Sequence, residues 1–302
     1  MSVVLLSGGT GGAKLARGLY DLLGADLAVI ANTGDDIEIY GAHVSPDPDL
    51  ITYWLADRID ERGWGLHGDT FSAMEMLREL GLEVWFNLGD RDLALCLERR
   101  RLLEDGATLS EAHAALTRAL GVSGRVIPMS DDPVRTTIVS AGETIGLQRF
   151  LIGGRAAGPI DDVIYEGAAH ARGAAAAHAA IASAEAILIG PSNPVLSIGP
   201  ILAVPEIRAA IEASPAPVVA VSPIVGGEVL KGPTAACMAW AGVSADAAGI
   251  AAHYGALIDG LVTDEGPLEG VLTLTRDTRM DSADARRELA SATLALARSL
   301  YG

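Results

Sequence analysis

Cysteines, aromatic side chains and basic side chains are all scarce in this sequence. Its 302 residues include 2 cysteines, 4% aromatic residues, and 22 basic against 39 acidic residues, a formal net charge of −17. Cys96 and Cys237 are too few for a disulfide framework and lack zinc-site spacing, so we interpret them as core residues in a reducing cytosol. The negative charge repels nucleic-acid backbones and anionic lipid surfaces. We therefore expect a cytoplasmic protein with small-molecule ligands, and neither nucleic acid nor membrane as a partner.

Long apolar segments that could enter a membrane are also lacking. The N-terminal run Val3–Leu6 is too short for the apolar part of a signal peptide. Residues 186–205 carry no charge, but four prolines would break a spanning helix there repeatedly. We interpret this stretch as a buried strand followed by a functional loop.

Short aliphatic runs alternate with amphipathic or alanine-rich stretches, as in βαβ units around a parallel sheet. This pattern predicts an α/β fold with a doubly wound, mostly parallel sheet in one domain, residues 1–302, and a small helical excursion at about 93–125. Within the excursion, Thr108 and Glu111 have the spacing of a capping box. The predicted strands are Val3–Leu6, Leu27–Ala31, Val84–Leu88, Ile138–Ser140 with Ile145–Ile152, Ala186–Ile189, Val218–Val221, Gly260–Val262 and Val271–Leu274.

Small and polar residues follow most of these strands directly. In open α/β sheets, ligands bind outside the carboxyl ends of the strands, so one crevice could collect these residues. The first strand runs into a glycine-rich segment, Gly8-Gly9-Thr10-Gly11-Gly12-Ala13-Lys14. Free backbone N–H groups at the positive end of the following helix would suit a phosphate. The spacing matches neither the Rossmann nor the Walker fingerprint, and the alternative is a tight turn that needs glycine only for its geometry.

Aspartates are concentrated after the second strand. Asp35 and Asp36 follow it directly, and Asp47 and Asp49 lie in what we interpret as a proline-rich loop. Carboxylate oxygens near a diphosphate suit Mg²⁺, although loop aspartates more often cap turns. Arg91 lies in the sequence Gly-Asp-Arg-Asp after another predicted strand, where it could hold a carboxylate or a ring oxygen or belong to a plain surface turn.

Together these motifs resemble the 2-phospho-L-lactate transferases that assemble the deazaflavin coenzyme F-420. The resemblance covers nearly the whole chain and rests on the order of the motifs more than on any one of them. The motifs are Gly8-Gly9-Thr10-Gly11-Gly12-Ala13-Lys14-Leu15, Asn32-Thr33-Gly34-Asp35-Asp36, Trp85-Phe86-Asn87-Leu88-Gly89-Asp90-Arg91-Asp92-Leu93-Ala94, Pro128-Met129-Ser130-Asp131-Asp132-Pro133-Val134-Arg135-Thr136, Pro191-Ser192-Asn193-Pro194 with Ser197-Ile198-Gly199-Pro200-Ile201-Leu202, and Ser222-Pro223-Ile224-Val225-Gly226-Gly227.

The resemblance implies a Rossmann-like, homodimeric transferase that uses Mg²⁺. A ribityl hydroxyl of 7,8-didemethyl-8-hydroxy-5-deazariboflavin would attack the phosphorus that bears the acid in a guanylylated phospho-acid, and GMP would leave. The family pattern implies that Asp49 and Arg91 bind the deazaflavin. We expect metal ligands among Asp35, Asp36, Asp47 and Asp49, a proton acceptor in Asp36 or Asp49, and donor binding by Gly8, Gly9, Thr10, Gly11, Gly12, Lys14, Ser192 and Asn193.

Two stretches depart from the family pattern. The family sequence Pro-Asp-Leu-Asp-Thr is here Pro46-Asp47-Pro48-Asp49-Leu50, which lacks a hydroxyl, and the stretch 147–155 is less aromatic and less basic than usual. The donor is therefore open between 2-phospholactyl, phosphoenolpyruvyl and 3-phosphoglyceryl groups. The main alternative function is a non-enzymatic regulator that binds nucleotide sugars on a related glycine-loop fold. An NAD-dependent oxidoreductase is disfavoured by the glycine spacing.

Overall fold

The structure is a computed structural model that describes residues 2–153, 156, 158–229 and 232–300. Its strands are β1 (Val3–Ser7), β2 (Leu27–Ala31), β3 (Ile37–Ile39), β4 (Ala42–Val44), β5 (Arg125–Pro128), β6 (Arg135–Ser140), β7 (Glu143–Gly146), β8 (Asp162–Glu166), β9 (Ala186–Ile189), β10 (Val218–Val221), β11 (Ile224–Val225), β12 (Glu228–Val229), β13 (Gly260–Thr263) and β14 (Leu272–Thr275). Its α-helices are α1 (Gly9–Leu23), α2 (Pro46–Leu55), α3 (Ser72–Glu79), α4 (Asp90–Glu104), α5 (Leu109–Ala119), α6 (Leu147–Ile152), α7 (Ala175–Ala182), α8 (Gly199–Ala203), α9 (Pro205–Glu212), α10 (Thr234–Trp240), α11 (Ala247–Tyr254) and α12 (Ala283–Leu300).

A seven-stranded sheet with the order β14-β13-β10-β9-β1-β2-β5 forms the centre of the molecule. Every neighbouring pair in it is parallel. Residues of β1 are buried on both faces: Val4 and Leu6 contribute to one hydrophobic cluster, and Val3 and Leu5 to another. This explains why the strands are continuous aliphatic runs rather than alternating ones.

Helices cover both faces of this sheet. On the face of Val3 and Leu5, the hydrophobic cluster includes residues of α1, α2 and α12. On the face of Val4 and Leu6, it includes residues of α7, α9 and α11. The predicted α/β, Rossmann-like, doubly wound fold is therefore confirmed.

The chain reverses its direction of travel across the sheet next to β1. From β1 it adds β2 and β5 on one side, and it later returns to place β9 on the other side of β1. At such a switch point the loops after the two strands diverge and leave a crevice at their carboxyl ends. The crevice lies between the glycine-rich segment after β1 and the loop after β9.

Smaller elements surround this crevice. An antiparallel sheet with the order β7-β6-β8 is joined to the loop after β2 through a hydrogen bond from Thr136 N to Gly34 O (2.6 Å). The hairpin β3–β4 packs with α3, α4 and the segment before α4 in a separate hydrophobic cluster that contains Val44, Met74 and Phe86.

Several strand predictions need correction. The stretch Val84–Leu88 is not a strand, and no strand of the described residues pairs with it. Its side chains Phe86 and Leu88 are buried against the β3–β4 hairpin and α4 instead. The predicted strand Ile145–Ile152 ends at Gly146 and continues as α6. The sequence analysis missed β5, whose Pro128 is tolerated because β5 is an edge strand.

The capping box predicted at Thr108 is confirmed, with both of its reciprocal hydrogen bonds present at the start of α5. Both cysteines are buried and free, as interpreted. Within the described part of the chain, no single helix is long and apolar enough to cross a membrane. The segments Pro194–Ala203 and Pro205–Glu212 meet that test only together, with a bend of 88° between them.

The contact between α1 and α12 gives a test of the fold. A Cβ atom at Gly18 of α1 would lie 2.3 Å from the carbonyl oxygen of Arg286 in α12. We expect Gly18→Ala to lower the free energy of unfolding by about 1–3 kcal/mol through overpacking. In the control variant Gly146→Ala, the added Cβ meets nothing within 4 Å, so a change of at most about 0.5 kcal/mol is expected. Urea unfolding measures both, and equal stability of the two variants would contradict the prediction.

Candidate active site

The glycine-rich segment links β1 to α1 and faces the loop after β9. Gly8 is the N-cap of α1, and Gly9 has a φ of +63°, a conformation that favours glycine. Gly8 N–H donates to Ser192 Oγ (3.3 Å), and Gly9 N–H donates to Asp47 Oδ1 (2.5 Å). The N–H groups at the positive end of α1 thus already face oxygen acceptors, one of them anionic.

The next two glycines are required by packing inside the protein. A Cβ atom at Gly11 would lie 2.0 Å from the carbonyl oxygen of Pro191, and one at Gly12 would lie 2.2 Å from Ser7 Oγ. They let α1 approach the loop after β9 closely. Thr10 lies in the first turn of α1, and Lys14, one turn later, pairs with Asp281 at 3.7 Å.

Ser192 and Asn193 have different roles in the loop after β9. Ser192 is buried and accepts the hydrogen bond from Gly8. Asn193 Oδ1 accepts from the backbone N–H groups of Val195 and Leu196 and so caps the π-helical turn Pro194–Ile198. Ser192 therefore faces the glycine segment directly, whereas the amide oxygen of Asn193 is engaged in a helix cap.

Asp35 and Asp36 are buried in the loop after β2 and are held by different neighbours. Asp35 accepts from Asn32 Nδ2 (3.4 Å) and from Gln148 Nε2 of α6 (3.1 Å). Asp36 accepts from Ser45 Oγ (2.7 Å) and contacts His43 Nε2 (3.1 Å). The two carboxylates are thus oriented by the elements that surround the crevice.

His43 was missed in the sequence analysis. Its Nδ1 contacts Glu38 Oε1 (2.5 Å) while its Nε2 contacts Asp36, so the ring bridges two carboxylates. Glu38 and His43 are cross-strand partners in the β3–β4 hairpin. The available signal was the Tyr40-Gly41 turn, which separates two three-residue strands and places these side chains opposite each other.

Asp47 and Asp49 do not lie in an irregular loop, as predicted, but in the first turn of α2. Pro46 begins this helix, and prolines are tolerated in a first turn because the N–H groups there have no partner within the helix. Asp47 accepts from Gly9 N–H and from Asn32 Nδ2 (2.9 Å). Asp49, two residues later, is directed away from the glycine segment toward α4.

Asp49 pairs with a fully buried arginine. Arg99 donates from Nη2 to Asp49 Oδ1 and from Nη1 to the carbonyl oxygen of His43 (2.9 Å). Cys96 Sγ lies 4.0 Å from Asp49 Oδ2 and 3.9 Å from Asp92 Oδ1. The sequence analysis did not single out Arg99, although positions 92, 96 and 99 have the spacing of one helix face.

Burial and mutual repulsion shift the acidities of these carboxyl groups. Burial, with the charges of Asp47 and Asp36, raises the pKa of Asp35 well above its usual value. Burial raises the pKa of Asp47 to about 6, although its hydrogen bonds from Asn32 and Gly9 lower it in part. Burial also raises the pKa of Asp49, although the charge of Arg99 opposes this effect. Because Asp36 adds to all three shifts, the four aspartates form one electrostatic cluster, called here the aspartate cluster.

The aspartate cluster holds four buried carboxyl groups whose negative charges are only partly balanced. Within the described residues, Asp36 pairs with His43, and Asp49 pairs with Arg99 and lies 3.9 Å from His113. The charge of Arg135 lowers the pKa of Asp35 only in part, and Asp47 is held by hydrogen bonds from Asn32 and Gly9. Oxygen ligands with uncompensated negative charge suit a hard divalent cation. Among the described residues, the acidic group whose ligand atoms all lie within 4.8 Å of one another is Asp49, Asp92 and Cys96, and not three members of the aspartate cluster. That group contains a softer sulfur ligand, and Arg99 already balances Asp49.

Arg91 lies at the N-terminus of α4 rather than in a turn after a strand. Asp69 accepts from the backbone N–H groups of Arg91 (2.9 Å) and Asp92 (3.1 Å) and thereby caps the helix. The exposed guanidinium of Arg91 donates to the carbonyl oxygen of His67 (3.4 Å). Direct contacts or charge link six of the residues predicted for the site: Gly8, Gly9, Asp35, Asp36, Asp47 and Ser192. Asp49 interacts with this group through the charge of Asp36. Arg91 and Lys14 make their contacts elsewhere.

The sequence is similar to known transferases over nearly its whole length. The sequence profile of the family described as "2-phospho-L-lactate transferase CofD" matches residues 3–294. Two relatives named phosphoenolpyruvate transferase, from Streptomyces coelicolor and Kitasatospora aureofaciens, are 39% and 40% identical, each over 98% of this chain and 98% of the relative.

Other relatives match over a shorter stretch. A 2-phospho-L-lactate transferase from Methanosarcina mazei is 39% identical over 56% of this chain and 56% of its own length, so that match spans little more than half of the archaeal protein. Among solved structures, a member of the UPF0052 family from Bacillus halodurans superposes with a TM-score of 0.64 at 18% identity, over 97% of this chain and 100% of that one. At this identity the likeness concerns the fold alone.

The pKa of Asp92 gives a test of the buried charges. Burial and the charge of Asp49 raise this pKa to about 7, against about 3.9 for an aspartate in an unfolded chain. Because the folded state binds the proton more tightly, the stability that this group contributes is complete below about pH 4 and is lost as the pH rises to about 7. Asp92→Asn, which can still accept from Tyr53 OH, should raise the free energy of unfolding at pH 8 by roughly 1–3 kcal/mol and flatten its slope between these pH values.

Urea unfolding from pH 4 to 8 in the presence of a chelator measures this effect. Asp277→Asn is the matched control, since Arg279 lowers the pKa of that exposed carboxyl group and no gain at pH 8 is expected. A steeper slope for Asp92→Asn than for the wild type would contradict the prediction.

Proposed function

The chain belongs to the 2-phospho-L-lactate transferase CofD family, and we propose that it transfers a phospho-acid group to a deazaflavin in coenzyme F-420 biosynthesis. The donor is a guanylylated phospho-acid, and the acceptor is the ribityl hydroxyl of 7,8-didemethyl-8-hydroxy-5-deazariboflavin. The oxygen of this hydroxyl forms a bond to the phosphorus that bears the acid, the bond from that phosphorus to the bridging oxygen breaks, and GMP leaves. A phosphodiester remains on the deazaflavin.

The contact between the glycine segment and the aspartate cluster carries this proposal. Gly9 N–H, at the positive end of α1, lies 2.5 Å from a carboxylate oxygen of Asp47 in the crevice between β1 and β9. A diphosphate bound there would replace Ser192 and Asp47 as the acceptor of the Gly8 and Gly9 N–H groups, with the carboxylates next to it. Displacement at phosphorus depends mainly on positioning and charge neutralisation, and these groups would provide both with a cation.

The proposed ligands of Mg²⁺ are Asp35, Asp36, Asp47 and Asp49. Of these, Asp47 contacts the glycine segment, whereas Asp49 contacts Arg99 of α4. When bound, Mg²⁺ would neutralise the charge of the diphosphate and of the leaving GMP. The chain itself would orient the donor through Gly8, Gly9 and Ser192. Of the two proposed proton acceptors, we favour Asp36 over Asp49, because Asp49 Oδ1 already accepts from the guanidinium of the buried Arg99.

The remaining features follow from the resemblance. Asp49 and Arg91 are the proposed contacts of the deazaflavin, and a homodimer in the cytoplasm is the proposed state of the protein. The stretch 147–155, which departs from the family pattern, forms α6 in part, whereas Gly154 and Arg155 lie outside the described residues.

We expect the phosphoenolpyruvyl group to be the preferred acid. The relatives matched over 98% of both chains carry the name phosphoenolpyruvate transferase, whereas the match to the archaeal 2-phospho-L-lactate transferase covers 56% of its length. The test is to incubate the purified protein with the deazaflavin, Mg²⁺ and each of the three guanylylated acids in turn. Mass spectrometry identifies each product, and the initial rates give kcat/KM for each donor. A higher kcat/KM for another acid would overturn the donor assignment. If no donor gave a product but the protein bound a nucleotide sugar, the alternative function, a non-enzymatic nucleotide-sugar-binding regulator, would be favoured.

Asp36 provides the test of the chemistry. Asp36→Asn keeps the size of the side chain and an acceptor for Ser45, but it removes the negative charge and the basic oxygen. We expect kcat to fall by about 100-fold or more, with the free energy of unfolding not reduced, because one repelling charge is removed from the cluster. Asp277→Asn, at an exposed ion pair, is the control and should keep full activity. Near-normal kcat in Asp36→Asn would remove Asp36 from the mechanism.

A further inference from the structure

The acid part of the proposed donor needs a cation next to the aspartate cluster. The 2-phospholactyl, phosphoenolpyruvyl and 3-phosphoglyceryl groups all carry a carboxylate, and the four buried aspartates would repel it. The chain as a whole, with a net charge of −17, does not attract an anion either. We therefore expect a basic side chain close to the cluster to bind this carboxylate.

Most basic side chains around the crevice already have an acidic partner. The pairs are Lys14 with Asp281, Arg99 with Asp49, Arg149 with Glu83, and His43 with Asp36 and Glu38. Arg91, at the N-terminus of α4, donates to the carbonyl oxygen of His67. Arg135 differs from the paired residues.

The guanidinium of Arg135, the first residue of β6, is held by a neutral group. Its Nη1 donates to the carbonyl oxygen of Val134 (2.8 Å). Glu166 lies directly opposite Arg135 on β8, but its carboxylate accepts from Thr137 Oγ1 (2.7 Å). Within the described residues, Arg135 forms no salt bridge. Its positive charge is thus not neutralised by a direct partner.

A close backbone contact places Arg135 beside the aspartate cluster. The N–H group of the next residue, Thr136, donates to Gly34 O (2.6 Å), and Asp35 follows Gly34 in the chain. A Cβ atom at Gly34 would lie 2.6 Å from Thr136 Oγ1, so the loop after β2 packs tightly on the start of β6. The charge of Arg135 lowers the pKa of Asp35 in part, as expected of neighbouring opposite charges. Arg135 therefore lies on the side of the cluster that Asp35 forms.

We propose that Arg135 binds the carboxylate of the phospho-acid donor, an inference that rests on the proposed function. The diphosphate lies at Gly8 and Gly9, and the phosphorus that bears the acid faces the aspartate cluster. The acid then extends past Asp35 to the start of β6, where the guanidinium donates to both carboxylate oxygens. Arg135 thus selects guanylyl donors that carry a carboxylate and takes no part in the bond changes at phosphorus.

The test uses two esters of GDP at its terminal phosphate, a carboxymethyl ester and an ethyl ester, so that only one probe carries a carboxylate. Each ester is titrated calorimetrically into the full-length protein in the presence of Mg²⁺. We expect the wild type to bind the carboxymethyl ester at least about 10-fold more tightly than the ethyl ester. Arg135→Met should bind it no more tightly than the ethyl ester, because the carboxylate then lacks its partner. An unchanged Kd for the ethyl ester would show that the variant folds.

Two further variants separate geometry and overall charge from the contact itself. Arg135→Lys keeps the charge but cannot donate two parallel bonds, so we expect it to restore only part of the preference for the carboxymethyl ester. The matched control is Arg125→Met, which removes the same charge from the first residue of β5. Because β5 is parallel to β2, Arg125 lies at the amino end of the central sheet, away from the crevice, and this variant should keep the wild-type preference.

The transferase assay gives a second readout. With a guanylylated acid as the donor, Arg135→Met should raise the KM for the donor by about 10-fold or more and leave the KM for the deazaflavin unchanged. A rise in the KM for the deazaflavin alone would contradict a role of Arg135 in donor binding.

The binding outcomes distinguish this inference from the proposed function. The wild-type preference retained in Arg135→Met, or lost equally in Arg125→Met, would overturn the assignment of Arg135. Equal weakening of both esters in Arg135→Met would overturn it too, because Arg135 would then act on the diphosphate or on the fold. A wild type that bound both esters equally would overturn this inference alone. Binding of neither ester to the wild type would overturn the proposed donor site together with this inference.

Discussion

The burial of four aspartates in one electrostatic cluster is the constraint on which the arrangement of the site depends. A carboxylate in a poorly solvated environment is costly unless hydrogen bonds or charges compensate it. Hydrogen bonds and cations compensate the burial of these carboxylates only in part, and the pKa values of Asp35, Asp47 and Asp49 are therefore raised. Such uncompensated negative charge is typical of a site that binds a cation.

The elements around the central sheet supply the partners of these carboxylates. The β3–β4 hairpin contributes His43, α4 contributes Arg99, and α6 contributes Gln148. Arg99 is fully buried and also bonds to the carbonyl oxygen of His43, so α4 and the hairpin are fixed relative to each other as well as to Asp49. The glycine segment and Ser192 lie on one side of these elements, and Arg149, next to Gln148 in α6, lies over the ring of Trp85.

Much of the fold was predictable because the signals were local. A short continuous apolar run such as Leu27–Ala31 is typical of a strand buried on both faces, and the order of such runs predicts the parallel sheet. The failures have local causes too. Val84–Leu88 resembles a strand in composition, but its burial against a hairpin and a helix satisfies the same side chains. The Pro46–Asp49 stretch resembles a loop, although prolines in a first helical turn are equally compatible with α2.

The sequence by itself determined the class of the fold, the family and the residue types of the site, because strand periodicity, glycine clusters and motif order are properties of neighbouring residues. Only the tertiary structure decided which of those residues meet. Asp47 faces Gly9 while Asp49, two residues later, faces Arg99 fifty positions further along the chain. Gly11 is needed for contact with Pro191, which is 180 residues away. Such pairings depend on how helices and loops pack around the sheet, and packing joins residues whose separation in the sequence carries no periodic signal.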